Sequence, residues 1–499
     1  MISSRDLTSS GKKAWLLALL VAVAILLMPA VYNRFPILFP DADAYFTVAY
    51  NNQWTLDRSG FYGLFLKLFA LLDWTVVGLW LAIAAQAAIV AAVLLATIRK
   101  LAPGISPPRC TAIILLTALA SSLPWHVSQI MPDAFTGALV LLAWLAASRD
   151  VRAPGTALLW LATALLTLLH YTHLPLFLAA ALTALLLERI NAVPWKEIGK
   201  RLVATASVGI AVVAAHVTVN GTLFDRWTMS PMGGWFLFAR VHEDGLATDW
   251  LARHCGRDAP KPLCEIRTTL PRDSQALLWW KGSPLYPHIQ ANVGSPDFWR
   301  WTDMMSAAAA GSIREEPVRF AGNSIGAAGR QFVNYKTLDD QCPSECTSPN
   351  LKRFRPDAAP SLAASRQLMG QTNKPLIRTI TGWIEAIALI LLVPLFVIAL
   401  RRRDKVLQGF LATIAAALVA NAAITGALSD VQPRYQSRVV WLAVLALFVA
   451  AVRLSGRSRD RAGRSGLLVT EEVGNDLPDE HGSDDRYQSV ARIMPAQVN

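Results

Sequence analysis

Two acidic residues stand close together just beyond the first apolar segment, in the sequence Asp41-Ala42-Asp43. Charge at the edge of a bilayer costs free energy unless it faces protein, a cavity or a ligand. In an extended or turn segment, this spacing puts both carboxylates on one side of the backbone, able to share a metal ion or a hydroxyl. A carboxylate placed against an acceptor hydroxyl takes its proton as a general base. The alternative is that Asp41 or Asp43 caps a helix beginning near Tyr45.

Further polar candidates stand between other apolar stretches. Asp133 directly precedes an apolar helix, so it is either an N-terminal cap or a second acidic site residue, and the two roles are compatible. His170 and His173 interrupt the apolar stretch 156–187. They are candidates to bind a metal, a sugar or a phosphate, and the alternative is that they are polar residues of a turn between helices.

The cationic candidates come from two segments. Arg434 and Arg438 stand on either side of Tyr435, just before the last apolar stretch. Arg58 and Tyr62 lie in the segment that follows the first apolar stretch. A guanidinium group offers a planar fork of donors that suits phosphate oxygens. Anchoring at a membrane interface is the alternative for the later segment. We therefore count these five residues as candidates to bind substrate or phosphate.

The elements that must position these residues are apolar. Hydrophobic residues make up 54% of the 499 residues and charged residues only 16%, which is typical of a polytopic membrane protein. A spanning helix needs roughly 20 mostly apolar residues, and we predict about ten spans. Eight are the stretches 14–32, 74–98, 110–125, 135–148, 202–220, 378–400, 406–427 and 439–455, and the interrupted stretch 156–187 supplies two short ones.

The distribution of Lys and Arg predicts which side each loop faces. Basic residues in short loops mark the cytoplasmic side, and with the N-terminus inside, every second short loop carries them and both termini are cytoplasmic. The segments at Asp41, Asp133, His170 and Arg434 then share the opposite side. Outer loops of a helical bundle lie close together, so we expect these groups to meet in one cavity. The net charge of +12 follows from topology and anionic lipids rather than from nucleic acid.

The predicted fold is an all-α polytopic integral membrane protein with one α-rich extracytoplasmic domain. Its parts are an N-terminal membrane module of seven spans at 1–221 with an acidic outer loop at 33–73, the extracytoplasmic domain at 222–377, a C-terminal module of three spans at 378–455, and a disordered cytoplasmic tail at 456–499. The amphipathic run from Phe61 to Leu72 is predicted to be a helix on the outer membrane surface.

Cysteine usage agrees with this sidedness. Four of the five cysteines fall in the predicted extracytoplasmic domain: Cys255, Cys264, Cys342 and Cys346. An even number in an oxidising compartment indicates disulfides, and the local pairs 255–264 and 342–346 are the simplest of the three connectivities. A metal site is the alternative, because Cys-x-x-x-Cys resembles half of one, although no second pair has metal-ligand spacing.

This layout resembles the GT-C superfamily of membrane glycosyltransferases. The residues that carry the resemblance are Asp41-Ala42-Asp43, Arg58 to Tyr62, Pro132-Asp133 and Arg434-Tyr435, together with a late outer domain. The resemblance implies an inverting enzyme that takes a sugar from a polyprenyl-phosphate carrier and passes it to a glycan or lipid acceptor. It implies an active site on the periplasmic face of a bacterial inner membrane.

The resemblance also assigns roles. Asp41 or Asp43 is the catalytic base, Asp133 orients the acceptor or a metal, and Arg434, with Arg58, holds the carrier phosphate. The partners are the lipid-linked donor, the acceptor and membrane lipids, without nucleic acid. The resemblance identifies no cofactor with certainty, and a divalent metal stays open. Two alternatives come from other classes: a transporter or flippase of a lipid-linked sugar, and a lipid-headgroup or acyl transferase with a histidine base.

Overall fold

The computed structural model describes residues 9–72, 76–150, 152–291, 293–338 and 348–472. Within these ranges the protein is helical and has no β-strand, which confirms the predicted all-α class. An isolated β-bridge joins Ile37 to Gln129. The chain divides into two compact units with the boundary between Ala451 and Val452, inside the last helix.

Twenty-one α-helices follow one another along the described part of the chain. The first ten are α1 (Ser9–Asn33), α2 (Ala42–Asn51), α3 (Phe61–Leu72), α4 (Val76–Leu101), α5 (Pro107–Ala120), α6 (Leu123–Val127), α7 (Thr136–Ala147), α8 (Thr156–Leu168), α9 (His173–Ile190) and α10 (Trp195–Phe224). The next eight are α11 (Gly233–Glu243), α12 (Leu246–His254), α13 (Lys261–Ile266), α14 (Ser274–Trp279), α15 (Pro296–Glu315), α16 (Pro317–Val333), α17 (Pro349–Phe354) and α18 (Ala359–Ala363). The last three are α19 (Lys374–Arg401), α20 (Lys405–Leu428) and α21 (Pro433–Glu472). Short 3-10 helices cover Pro132–Phe135 and Pro356–Ala358, and a π-helical turn covers Pro287–Ala291.

Seven of the described helices are long and apolar enough to cross a membrane. They are α1, α4, α9, α10, α19, α20 and the first part of α21, Pro433–Ser455. The prediction of about ten spans also counted the regions of α5, α7 and α8, and these helices are shorter. A helix of 14 residues, such as α5, reaches about 21 Å, less than the roughly 30 Å of a hydrocarbon core. The count of ten is therefore not confirmed.

Two local predictions have direct counterparts in the helices. The amphipathic run predicted as one helix is α3, with the same ends, Phe61 and Leu72. The stretch 156–187 is divided into α8 and α9 by the turn that holds His170. Pro175 lies in the first turn of α9, where proline is tolerated because the missing N–H has no partner within the helix.

Helices between α10 and α19 have a hydrophobic core of their own. Its largest buried side chains include Trp235, Phe238, Phe298 and Trp301, contributed by α11 and α15. The predicted disulfide between Cys255 and Cys264 is present and joins the end of α12 to α13. The other predicted pair, Cys342 and Cys346, lies outside the described residues.

The segment that leads into α2 is held on two sides. Ile37 exchanges backbone hydrogen bonds with residues 128–130, over 3.0 and 2.9 Å. The next residue, Leu38, is bound through its N–H and its carbonyl by the side chain of Gln367, over 3.0 and 2.6 Å. These contacts fix the backbone just before Asp41.

The last helix continues through Glu472, beyond the predicted start of a disordered tail at residue 456. Residues 473–499 lie outside the described part of the chain. At its other end, the turn before α21 is fixed by Gln432, whose N–H donates to the side chain of Gln331 and whose carbonyl accepts from it, both over 2.9 Å. The start of α21 is therefore tied to α16.

Candidate functional site

Asp41 lies between two arginines from distant parts of the sequence. Arg434, at the start of α21, donates from Nη2 to Oδ2 over 3.1 Å, and Arg58 donates to Oδ1. Arg58 also pairs with Asp57. Asp41 makes no side-chain capping hydrogen bond to α2, so its carboxylate is a charge partner and not a helix cap.

The pKa of Asp41 reflects this pairing. Burial alone would raise the pKa of the carboxyl, but the charges of Arg58 and Arg434 outweigh it and hold the pKa below its ordinary value. Asp41 is therefore ionised at neutral pH. It becomes a stronger base when one of the two guanidinium groups is drawn away from it.

Asp43 faces another part of the molecule. Its carboxylate accepts hydrogen bonds from the hydroxyl of Ser348, over 2.7 Å, and from the backbone N–H of Asn350, over 3.0 Å. Asp43 lies inside a helix, where residues two apart do not share a face. The carboxylates of Asp41 and Asp43 therefore do not share one ligand position, as an extended segment would have allowed. Burial raises the pKa of Asp43, and these hydrogen bonds offset only part of the rise.

Asp133 forms a fully buried ion pair with Arg438. The distance from Nη1 of Arg438 to Oδ1 of Asp133 is 2.7 Å, and the two side chains are 0% and 3% exposed. Arg438 also donates to Thr172 and Asn421, each over 3.1 Å. Asp133 lies inside the 3-10 helix Pro132–Phe135, and the N-cap position of α7 is Phe135. The partner of the Asp133 carboxylate is the arginine one turn after Arg434 on α21.

The two candidate histidines are bound within the turn between α8 and α9. His173 uses both ring nitrogens, against Thr136 Oγ1 over 3.0 Å and the Leu166 carbonyl over 2.7 Å. Nδ1 of His170 accepts from the hydroxyl and the N–H of Thr172, over 2.8 and 3.1 Å. Burial holds the pKa of His170 well below its ordinary value. These contacts position the turn, and His173 has no nitrogen left for a ligand.

The candidate tyrosines differ in their surroundings. Tyr62 is fully buried, and its hydroxyl donates to Gln86 over 3.0 Å, so it packs between α3 and α4. Tyr435 lies beside both arginines of α21, with its ring centre 4.9 Å from the guanidinium carbon of Arg434 and 5.4 Å from that of Arg438. Tyr435 thus belongs to the cationic cluster, and Tyr62 does not.

A pocket opens beside Arg434. It is small and is lined by Phe39, Trp125, His126, Gln129, Lys336, Leu338 and Arg434. Arg434 packs over Phe39, with 4.0 Å between the guanidinium carbon and the ring centre. Sequence analysis did not select Lys336 or His126. A lone lysine and a lone histidine carry no motif, and the signal available was only that His126 stands near Asp133 in a segment without Lys or Arg.

Most charges around the pocket are matched. Three guanidinium groups face three carboxylates, namely Arg58, Arg434 and Arg438 against Asp41, Asp57 and Asp133. Lys336 is exposed, and no carboxylate in the described part of the chain pairs with it. The described residues of the pocket therefore carry one unmatched positive charge.

The side chains that could act as metal ligands give little support for a metal site. In the described ranges, no three His, Cys, Asp or Glu side chains are grouped so that they could hold a metal ion. Asp41 and Asp43, the pair considered for a divalent cation, face different partners, and both oxygens of Asp41 accept from arginine.

No protein-family model, no curated protein and no solved structure matches the chain. The class that the fold defines is a helical protein with seven described helices compatible with crossing a membrane. What the protein does must therefore be inferred from the site.

Stability should fall on mild acidification because His126 is buried in its neutral form. Burial lowers the pKa of His126 from 6.5 to about 4, while the unfolded imidazole takes up its proton near the ordinary value. The contribution of this histidine to the free energy of unfolding is therefore fully present above about pH 6.5. Between about pH 6.5 and about pH 4 the free energy of unfolding falls by about 1.4 kcal/mol per pH unit for such a group.

Thermal unfolding in detergent micelles across this pH range measures the decline. The variant His126→Gln should decline less steeply than the wild type, with the remaining slope due to other buried imidazoles such as His170. Equal slopes for the two proteins would show that His126 is not kept neutral by the fold.

Proposed function

We propose that the protein is a membrane glycosyltransferase. It moves a sugar from a polyprenyl-phosphate carrier to a glycan or lipid acceptor on the extracytoplasmic side of a bacterial inner membrane, with both termini in the cytoplasm. The single observation that carries the proposal is that Arg434 contacts Asp41 and also lines the pocket. Transfer from a lipid phosphate needs a base for the acceptor and a cation for the leaving phosphate, and this arginine links the two.

The reaction is a direct displacement. The acceptor hydroxyl gives its proton to Asp41, and its oxygen forms a bond to the anomeric carbon of the sugar. The bond from that carbon to the carrier phosphate breaks, its electron pair leaves with the phosphate oxygen, and the configuration at the carbon inverts. Arg434 stabilises the negative charge that develops on the phosphate, the usual role of a cation at a leaving oxyanion.

The shared arginine couples donor binding to the strength of the base. In the free protein, Arg434 is one of two cations that lower the pKa of Asp41. A phosphate in the pocket competes for the same guanidinium group and weakens its hold on Asp41. The carboxylate is therefore most basic when the donor is bound, which limits proton uptake to the productive complex.

The other predicted residues position this pair. Asp133 holds Arg438, and because Arg438 follows Arg434 by one helical turn, this contact orients the same face of α21 towards Asp41. Asp43 holds the segment around Ser348 and Asn350 beside α2.

The decisive experiment uses purified protein in liposomes with a polyprenyl-phosphate sugar labelled on the sugar, together with a lipid and glycan acceptor extract. The expected result is free polyprenyl phosphate and a labelled acceptor, in amounts well above those of protein-free liposomes. Movement of intact donor across the bilayer, without release of the carrier, would instead identify a flippase. A requirement for an acyl donor would identify an acyl transferase.

A further inference from the structure

We propose that Glu385 in α19 carries a proton in the folded protein, and that this neutral acid holds the start of α21 through Ser122. Neither residue has a role in the displacement described above. Glu385 acts through other residues, so it is a positioning residue. The inference rests on the proposed function only for its effect on sugar transfer, because the proton and the contacts are measured without any transfer.

Glu385 is a carboxyl group inside an apolar helix. It stands between Ile384 and Ala386 in a helix that is long and apolar enough to cross a membrane. It is 0% exposed, and no Lys or Arg of the described ranges forms an ion pair with it. A buried carboxylate without a cation costs far more free energy than a neutral acid. The surroundings of Glu385 therefore favour the protonated form.

The hydrogen bonds of the Ser122 hydroxyl require this proton. Oγ of Ser122 lies 2.6 Å from Oε1 of Glu385 and 2.8 Å from the main-chain carbonyl oxygen of Ser437. If Glu385 is ionised, both neighbours are acceptors, whereas a serine hydroxyl has a single hydrogen to donate. With a proton on Oε1, Glu385 donates to Ser122, and Ser122 donates its own hydrogen to the carbonyl of Ser437. Each of the two contacts then contains a hydrogen.

The other oxygen of Glu385 agrees with the neutral form. Oε1 accepts from the backbone N–H of Ser122 over 2.8 Å, while Oε2 is buried and has no hydrogen-bond partner in the described part of the chain. A carboxylate shares its charge between both oxygens, so Oε2 would be a buried charged atom without a donor. In the acid, Oε2 is a neutral carbonyl oxygen, for which a missing donor costs less free energy.

Ser437 connects this acid to the candidate site. It lies on α21 three residues after Arg434 and directly before Arg438. Its carbonyl is bound by Ser122, and its hydroxyl lies 3.0 Å from Nε2 of His126. A chain of hydrogen bonds thus runs from α19 to the turn of α21 that carries both arginines. The neutral acid therefore contributes to the direction in which this turn presents its arginines to Asp41 and Asp133.

The proton is tested by infrared spectroscopy of the purified full chain in detergent micelles at about pH 6, where an exposed glutamate is ionised. A protonated carboxyl group gives a carbonyl band that a carboxylate lacks. The wild-type spectrum should contain such a band that is missing from Glu385→Gln. The band should shift in Ser122→Ala, where the acid loses its acceptor. The matched control Glu265→Gln removes a carboxyl group that is 64% exposed and should leave the acid band unchanged.

Thermal unfolding in micelles tests the link to α21. Glu385→Leu and Ser122→Ala interrupt the same chain of hydrogen bonds, so each should lower the melting temperature. The double variant should unfold close to the less stable single variant, because residues in one network are not additive. Glu385→Gln keeps a neutral polar side chain of the same size and should lose less stability than Glu385→Leu.

The effect on the proposed reaction is measured with the same variants. Glu385→Leu should lower the rate of carrier release at saturating donor about 10- to 10²-fold, as expected when Arg434 is misplaced, and Glu385→Gln should recover most of this loss. Thr302→Val is the control for stability alone. It removes a buried hydrogen bond to Trp235 in the separate core of α11 and α15, and should react at the wild-type rate.

Four results would overturn the inference. They are the absence of an acid band that depends on Glu385, an unshifted band in Ser122→Ala, additive losses of stability in the double variant, and carrier release at the wild-type rate in Glu385→Leu. The expected band and non-additive unfolding in a protein that transfers no sugar would leave this inference standing and reject the proposed function.

Discussion

Replacement of Asp41 by Asn is expected to lower the rate of carrier release about 10²- to 10⁴-fold, the contribution of a well-placed general base. The amide keeps the size of the carboxylate and its oxygen still accepts a hydrogen bond from Arg58 or Arg434, but it cannot take the acceptor's proton. The rate of polyprenyl phosphate release, measured at saturating donor, reports the change. Donor binding should not weaken, because the neutral amide competes less strongly than the carboxylate for Arg434.

Two further variants make the Asp41 result specific. Asp303→Asn is the matched control, because Asp303 is 63% exposed and pairs with Arg226 outside the site; it should react at the wild-type rate. Asp43→Asn should lose less activity than Asp41→Asn, because the Asp43 carboxylate is engaged by Ser348 and Asn350. Size-exclusion chromatography and thermal unfolding should first show that both variants are folded. A greater loss of activity in Asp43→Asn than in Asp41→Asn would then assign the role of base to Asp43.

The helices of this protein could be predicted because apolar stretches determine them locally. Hydropathy gave the central part of each long helix, and the amphipathic pattern from Phe61 to Leu72 gave both ends of α3. The number of spans was harder to predict. A stretch such as 110–125 has the composition of a span, but Ser121 and Ser122 interrupt the helix and leave α5 with 14 residues.

The sequence allowed us to predict which charged residues belong to the candidate site, but not which of them form ion pairs with one another. Arg434 lies 393 residues from Asp41 in sequence. We expected the two residues to be close because the outer loops of a bundle meet, but this argument does not say which carboxylate each arginine binds. The divergence of Asp41 and Asp43 depends on where α2 begins, and a shift of that start by a few residues would change it. Lys336 and His126 could not be selected from the sequence, because the pocket that they line is formed by several distant segments.

The second large effect concerns the buried pair of Asp133 and Arg438. Replacement of Arg438 by Met should lower the free energy of unfolding by about 3–5 kcal/mol, because it leaves an ionised carboxylate buried without its partner. The double variant Asp133→Leu with Arg438→Met should recover most of this loss, since an apolar pair of similar volume carries no desolvation cost. Thermal unfolding in micelles, monitored by circular dichroism, gives the difference of each variant from the wild type.

An exposed pair provides the matched control for the buried one. Arg226 and Asp303 are separated by 3.0 Å, and their side chains are 34% and 63% exposed, so Arg226→Met should cost at most about 1 kcal/mol. If Arg438→Met were no more destabilising than Arg226→Met, Asp133 would have to be neutral in the folded protein. The orientation of α21 would then depend on its packing alone, and the same face would have no electrostatic reason to direct Arg434 towards Asp41.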